Sequence, residues 1–227
     1  VDFVRDARAF APGVRLADIG QALRNVWIGN SFQMLLDRPV ALRSGLFGYS
    51  MLYPVTDNWL DDRTVTTRAK HAFNEWLARR LAGAPVRPRN RHEADVARLV
   101  ERIERDCSRD RCPALYQSLL AINDAQTASL HQHGEAILSD HELLAISMAK
   151  GGSSVLVDLH LVAPAATAAE ERFAFAYGVC LQLLDDVQDV GADLAANHQT
   201  LFTRAAGSGP LDQVAARLAH FINAVLF

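Results

Sequence analysis

Two clusters of acidic residues are the parts of this sequence best suited to chemistry. The first is Asp57-Asn58-Trp59-Leu60-Asp61-Asp62, and the second is Asp185-Asp186-Val187-Gln188-Asp189. Because helix positions i and i+4 share a face, Asp57 and Asp61 should point the same way, as should Asp185 and Asp189. Carboxylates this close repel one another unless protons or cations intervene. Hard divalent cations prefer oxygen ligands and often bridge carboxylates to substrate phosphates, so the pattern favours a Mg²⁺ site.

The neighbours of both clusters are apolar. Leu52 and Val55 precede the first cluster, and Leu183 and Leu184 precede the second. An unpaired charge in apolar surroundings is costly, so acids in such segments need a functional reason. The alternative is a helical scaffold whose aspartates face solvent.

Two other kinds of metal site do not fit the spacing. An EF-hand loop starting at Asp189 would need Glu at its twelfth position, where the chain has Thr200. His131 and His133 are two residues apart and no H-E-x-x-H occurs, which indicates surface histidines rather than a zinc site.

Composition places the chain among ordinary globular proteins. Its 227 residues are 50% hydrophobic and 22% charged, and the length permits one domain spanning 1–227. The net charge of −3 predicts no nucleic-acid partner, and the lack of an apolar run near ~18 residues predicts no membrane span. The three cysteines form no framework, which favours free thiols in a reducing cytoplasm. No signal peptide is visible, but residue 1 is Val, which leaves open whether the N-terminus is complete.

The fold class follows from hydrophobic periodicity. Apolar residues recur at three- and four-residue spacing almost throughout, which predicts an all-α protein. The predicted helices cover about 17–36, 41–62, 65–82, 92–107, 113–133 and 167–191, with another opened by a Ser139–Glu142 capping box, a turn at 207–210 and a last helix ending at Phe227. Pro54 lies inside the second helix, where we expect a kink.

The second acidic cluster ends a long apolar helix. Its predicted buried stripe consists of Phe173, Tyr177, Cys180, Leu181 and Leu184.

The preceding helix carries Lys150-Gly151-Gly152. Each glycine inside a helix costs about 1 kcal/mol relative to alanine, so the pair needs an explanation. One explanation is a helix break or the close approach of a ligand, and the other is tight packing between helices.

Several segments together resemble the class I isoprenoid synthases. The run from Leu181 to Val190 resembles their second aspartate-rich motif. The run from Asp193 to Leu201 is similar to the D-L-x-x-G-K-x-T-L segment of polyprenyl diphosphate synthases, with Asn197 replacing the glycine and His198 the lysine. The first cluster resembles the D-x-x-x-D-D of squalene and phytoene synthase relatives, and also a D-D-x-x-D with Asn58 in second place.

The resemblance implies a single antiparallel helical bundle around a deep apolar cavity, with the acidic clusters facing each other at its mouth. It implies that both clusters hold Mg²⁺ ions, which bind the diphosphate of an allylic prenyl substrate and assist its ionisation. The cavity then shields the carbocation from water. The implied metal ligands are Asp57, Asp61, Asp62, Asp185, Asp186 and Asp189, and the implied catalytic residues are Asp57, Asp61, Asp185 and Asp186.

Further roles come with the resemblance. Lys150 and His198 are the candidate diphosphate-binding residues, because a basic group there would stabilise the leaving group. Tyr53 lies just upstream of the first motif, where bulk shortens the product of elongating relatives, although it could equally be core. Gly151 and Gly152 are assigned to the substrate cavity. Members of the resembled family are often homodimers, and the sequence leaves the oligomeric state of this chain open.

The chain also departs from its apparent relatives. It has no G-G-K-R-type segment near the N-terminus, and only Arg63, Arg68 and Lys70 stand where elongating enzymes carry an arginine pair. The terpene cyclase motif N-D-x-x-S-x-x-x-E is absent as well. We therefore expect cyclisation or prenyl coupling ahead of chain elongation. A non-catalytic subunit of a heteromeric prenyl synthase is the alternative outside enzymes.

Overall fold

The computed structural model describes residues 2–133 and 137–226. Within these ranges the regular structure is helical and no strand occurs, which confirms the predicted all-α class. The α-helices are α1 (Asp2–Phe10), α2 (Leu16–Leu35), α3 (Ser44–Asp61), α4 (Thr67–Leu81), α5 (Arg91–Asp106), α6 (Pro113–Ser129), α7 (Asp140–Val162), α8 (Ala168–Gln188), α9 (Val190–Ala196), α10 (Leu201–Ser208) and α11 (Asp212–Leu226), with a 3₁₀ turn at Leu130–His133.

The predicted helix boundaries hold to within a few residues for α2 to α5. The capping box before α7 is confirmed, because the Ser139 backbone N–H donates to Glu142 (2.7 Å) and the Glu142 N–H donates to the Ser139 hydroxyl (3.3 Å). Three short helices, α1, α9 and α10, were not predicted, and Gly207 belongs to α10 rather than to a turn. The predicted end of the last helix at Phe227 lies outside the described residues.

The chain divides into two compact units, which are described separately. The first comprises the chain up to Leu120 together with Val157–Ala166, and the second comprises Ala121–Leu156 together with Thr167 onwards. Helices α6 and α7 contribute residues to both units.

In the first unit, α2 and α3 run antiparallel. The pairs Asp18–Asn58 and Gln21–Asp57 join the start of α2 to the end of α3 by hydrogen bonds. Gly29, further along α2, lies so close to Leu46 that a Cβ on the glycine would be 2.6 Å from the leucine side chain. This pairing sets the position of the first acidic cluster relative to α2.

Helix α5 packs against the opposite side of α3. A Cβ on Gly48 would come within 2.7 Å of the Leu99 carbonyl oxygen, so the two backbones approach closely. At the end of α5, the Asp106 carboxylate accepts a hydrogen bond of 2.6 Å from the Gly45 backbone N–H. Together α2 and α5 hold α3 along most of its length.

In the second unit, α7 and α8 are in close contact through glycine. A Cβ on Gly151 would lie 2.4 Å from the Gly178 carbonyl oxygen, and one on Gly152 would lie 2.3 Å from the Phe175 ring. Helix α7 continues through both glycines without a break. Tight helix packing, rather than a helix break, is therefore the explanation that the structure supports.

The predicted buried stripe of α8 is partly wrong. Phe173 is 39% exposed, whereas Cys180 is buried, and Tyr177, Leu181 and Leu184 are half-buried. The helix instead buries the face that contains Gly178, because α7 contacts α8 there. The buried residues of α8 are Ala174, Gly178, Val179, Cys180, Leu183 and Asp186. Among the described helices, none combines the length and the hydropathy that crossing a membrane requires.

Candidate functional site

The first acidic cluster occupies the last turn of α3. Asp57 is half-buried, and its carboxylate accepts a hydrogen bond of 3.3 Å from Gln21 on α2. Asn58 donates to Asp18 at 3.0 Å, and Arg15 pairs with the same carboxylate at 2.7 Å, which lowers the pKa of Asp18. Helix α2 thus orients the Asp57 turn through side-chain hydrogen bonds.

Asp61 and Asp62 lie at the exposed end of this helix. Asp62 stands just beyond α3, and its Oδ1 accepts bonds from the Thr64 backbone N–H (2.8 Å) and hydroxyl (2.7 Å). These bonds to the ionised form lower the pKa of Asp62. Both aspartates line a pocket of about 730 Å³, which Arg91 and Arg98 also line. Asp62 therefore stabilises the loop after α3 through its two hydrogen bonds with Thr64.

Asp186 is the buried member of the second cluster. Its side chain is 7% exposed, and both carboxylate oxygens accept hydrogen bonds. Ser147 on α7 donates to Oδ2 at 2.8 Å, and Gln182, one turn earlier on α8, donates to Oδ1 at 2.8 Å. The Gly151–Gly178 contact makes the first of these bonds geometrically accessible, since it brings α7 and α8 together just beyond Ser147.

Burial raises the pKa of Asp186, and four groups oppose that rise. The hydrogen bonds from Gln182 and Ser147 favour the ionised form, and so do the charges of Lys150 and His198. The carboxylate and the two candidate diphosphate-binding residues are thus close enough to interact electrostatically within the second unit. Lys150 follows Ser147 by three residues on α7, so the two share a face of the helix.

His198 lies in the loop between α9 and α10. Its Nδ1 is 3.1 Å from the Asp193 carboxylate, and its ring stacks on His133 with centroids 4.3 Å apart. The Nε2 atom is buried and has no hydrogen-bond partner among the described residues.

The residue before His198 has a left-handed backbone conformation. Asn197 adopts φ 56° and ψ 35°, the left-handed conformation that ends α9. Glycine is favoured at such positions and asparagine is the usual substitute. Asn197 therefore preserves the backbone turn where the resembling sequences have glycine. Thr200, also part of the motif, caps α10 by a reciprocal pair of bonds with Thr203.

The other members of the second cluster are more open. Asp185 is half-buried, and Asp189 is exposed at the C-terminal end of α8. The expectation that apolar surroundings bury these acids is correct for Asp186 and partly correct for Asp57 and Asp185. It is wrong for Asp189, as it is for Asp61 and Asp62, because the side chains of their apolar neighbours point to other faces of the helices.

The predicted cavity residues have different surroundings. Tyr53 is half-buried on α3, one turn before Asp57 and on the same face. Gly151 and Gly152 are buried against α8, where any side chain would overlap Gly178 or Phe175. Both glycines therefore have a packing role that positions Ser147 and Lys150.

The chemistry of these residues fits Mg²⁺. Among the described residues, no three histidine, cysteine or acidic side chains form a ready metal cage. Mg²⁺ is usually held by one or two carboxylates plus substrate phosphates and water, so it does not need such a cage. The aspartates of each cluster offer the carboxylate oxygens that this preference requires. Ser147 and Gln182 already orient the Asp186 carboxylate by hydrogen bonds.

Three residues that orient the carboxylates were not predicted from the sequence. These are Gln21, Ser147 and Gln182. Gln182 could have been identified, since it precedes Asp186 by four residues on one helix. Gln21 and Ser147 lie on other helices, and one sequence alone does not indicate which helices meet.

Comparison with family models, curated proteins and solved structures yields no match for this chain.

Proposed function

We propose that this protein is a Mg²⁺-dependent enzyme of the class I isoprenoid synthase kind. It ionises an allylic prenyl diphosphate, and the prenyl group is then cyclised or coupled. The proposal rests on the surroundings of the buried Asp186 carboxylate. Ser147 and Gln182 donate hydrogen bonds to it. Lys150 and His198 lie close enough to interact with it electrostatically. Opposite charge near a buried carboxylate favours its ionised form, which is the form that a metal ligand must have.

Each residue has a role in this reaction. Bound Mg²⁺ neutralises charge on the leaving diphosphate and assists cleavage of the allylic C–O bond. In the second unit Asp185 and Asp186 supply carboxylates, with Asp189 as a further ligand. In the first unit Asp57 and Asp61 supply carboxylates, with Asp62 as a further ligand. Lys150 donates to the diphosphate, and His198 is the second proposed contact on the same group.

The orienting residues keep the carboxylates in place. Ser147 and Gln182 hold both oxygens of Asp186, and Gln21 holds Asp57. Such outer contacts commonly matter about 10–100-fold for metal affinity or activity. The proposed architecture is the single antiparallel bundle of the family, in which apolar side chains shield the allylic cation from water.

Product analysis tests the reaction type. The purified chain is incubated with Mg²⁺ and farnesyl or geranylgeranyl diphosphate, with and without isopentenyl diphosphate, and products are identified by mass spectrometry. A hydrocarbon or alcohol from the single substrate supports cyclisation or coupling. A longer diphosphate that forms only with isopentenyl diphosphate would replace this proposal with chain elongation.

A further inference from the structure

The second unit contains a pocket that the second acidic cluster does not line. Its volume is about 980 Å³, and it lies between the start of α7, the middle of α8, α10 and α11. None of the proposed metal or diphosphate ligands in the described part of this unit lines it. The volume is at the upper end of the range typical for small-molecule sites.

The walls of this pocket are mainly hydrocarbon. Val179, Leu183, Phe202 and Leu218 form a buried cluster at its base, each at most 7% exposed. Partly buried apolar side chains extend the wall towards the opening; they include Leu144, Met148, Val214 and Phe221. A hydrocarbon chain placed here would gain roughly 25 cal/mol for each Å² of apolar surface removed from water.

The rim carries a basic group whose charge the described residues do not balance. Arg204 pairs with Asp140 at 2.9 Å and also donates to the Leu138 carbonyl, so its own charge is largely balanced. Asp212 begins α11, where the helix dipole favours a negative charge. Arg217 is exposed at the rim and makes no ion pair with the described residues. The pocket thus combines an apolar interior with a rim of mixed charge, on which Arg217 is exposed and makes no ion pair with a described carboxylate.

We propose that this pocket binds an amphiphile with a hydrocarbon body and a single anionic head group. The hydrocarbon lies against the Val179–Leu183–Phe202–Leu218 cluster, and the head group contacts Arg217. A carboxylate and a phosphate monoester share this chemistry, and the experiment separates them. The inference concerns a different surface from the proposed active site and does not depend on it.

Methyl NMR gives a direct test, because the chain has three methionines in different surroundings. Met148 lines the pocket, Met51 is buried in the first unit, and Met34 is exposed on α2. The full chain, labelled with ¹³C at the methionine methyl groups, is titrated below micelle formation with dodecanoate, dodecyl phosphate or dodecanol. We expect saturable shifts of the Met148 signal, while Met34 and Met51 serve as internal controls.

Substitutions test the contribution of Arg217 separately from that of the apolar pocket. Arg217→Ala should weaken the binding of the preferred anion about threefold, as expected for an exposed ion pair. The affinity for dodecanol should not change. Ala205→Phe and Val214→Trp fill the pocket and should weaken all three probes by about tenfold or more, with circular dichroism to confirm folding. Arg79→Ala, an exposed arginine in the first unit, is the matched control.

The anion that depends more strongly on Arg217 identifies the head group. The proposal is overturned if neither anion shifts Met148, or if both pocket-filling variants bind like the wild type. It is also overturned if Arg217→Ala weakens dodecanol as much as it weakens the anions.

Discussion

The Ser147 hydroxyl donates a 2.8 Å hydrogen bond to Oδ2 of Asp186, and it comes from a different helix. Both residues are buried, at 4% and 7% exposure. A hydroxyl placed there favours the ionised carboxylate, which burial alone would disfavour. The bond thus opposes the rise in pKa that burial causes and favours the form that a metal requires.

Removal of this bond should change how the proposed activity depends on pH. In Ser147→Ala the pKa of Asp186 rises further, so the acidic limb of the profile of diphosphate release against pH should move to higher pH. The Mg²⁺ concentration for half-maximal activity should rise by about 10-fold or more. Steady-state assays across the acidic and neutral pH range measure both quantities.

Ser147→Thr keeps the hydroxyl and should restore the wild-type profile. Ser208→Ala removes an exposed hydroxyl that bonds to its own helix backbone, and serves as the control. An unshifted acidic limb in Ser147→Ala would contradict the role given to this residue.

The close contact between α7 and α8 can be tested with alanine. In Gly151→Ala the new methyl group would lie 2.4 Å from the Gly178 carbonyl oxygen, which is backbone and cannot easily move. We expect a loss of about 2–3 kcal/mol in the free energy of unfolding, as measured by urea denaturation.

Gly20→Ala is the matched control. A methyl group on this helical glycine would meet no other described atom within 4 Å, so alanine there should stabilise by up to about 1 kcal/mol through helix propensity. Equal effects of the two substitutions would show that the helices do not approach as closely as described.

Helix periodicity predicted most of the fold, and it failed where other effects decide the structure. The long helices α2 to α5 have enough turns for their apolar spacing to be recognised. Helices α9 and α10 have seven and eight residues, and they are delimited by the left-handed Asn197 and by the Thr200 cap. Spacing of apolar residues carries little information over so short a segment.

The candidate site, like the fold, was predicted only in part from the sequence. The predicted helix over 41–62 correctly places the first acidic cluster near the end of α3. The i, i+4 relation between Gln182 and Asp186 was available in the sequence but was not predicted. The apolar residues next to Asp61, Asp62 and Asp189 in the sequence suggested that these acids are buried, but all three are exposed. Adjacent residues on a helix point in different directions, so apolar neighbours in sequence do not show that a side chain is buried. Partners from other helices, such as Ser147, could be identified only from the three-dimensional arrangement.

The left-handed turn at Asn197 can be tested by substitution. Asn197→Gly should leave stability unchanged or raise it slightly, because glycine adopts φ 56° without steric cost. Asn197→Ala should cost about 1 kcal/mol. Thermal unfolding measures both variants.

Ala195→Gly, inside the preceding helix α9, should by contrast destabilise by about 1 kcal/mol. If glycine were equally unfavourable at positions 195 and 197, the left-handed turn would be absent in solution.

A buried carboxyl outside the proposed site should control how stability depends on pH. Asp158 is fully buried, neither oxygen has a hydrogen-bond partner among the described residues, and burial raises its pKa well above the ordinary value. The folded state therefore keeps a proton that the unfolded chain releases. Its contribution to stability is complete below about pH 4 and is lost as the pH rises towards the folded-state pKa.

Asp158→Asn removes this dependence. Urea denaturation at several pH values from about 5 to 8 should show that the variant loses less stability than the wild type as the pH rises, since each unit of pKa difference corresponds to about 1.4 kcal/mol. Asp110→Asn, at an exposed position, should follow the wild type. Parallel curves for all three proteins would mean that Asp158 does not have a raised pKa in solution.

The most direct test of the proposed function is Mg²⁺-dependent release of diphosphate from farnesyl or geranylgeranyl diphosphate by the full chain. We predict release with Mg²⁺ and none after chelation, a loss of at least about 100-fold in Asp57→Asn and in Asp186→Asn, and wild-type rates in Asp110→Asn. Wild-type rates in either of the first two variants, or no release from either substrate by the wild-type protein, would contradict the assignment.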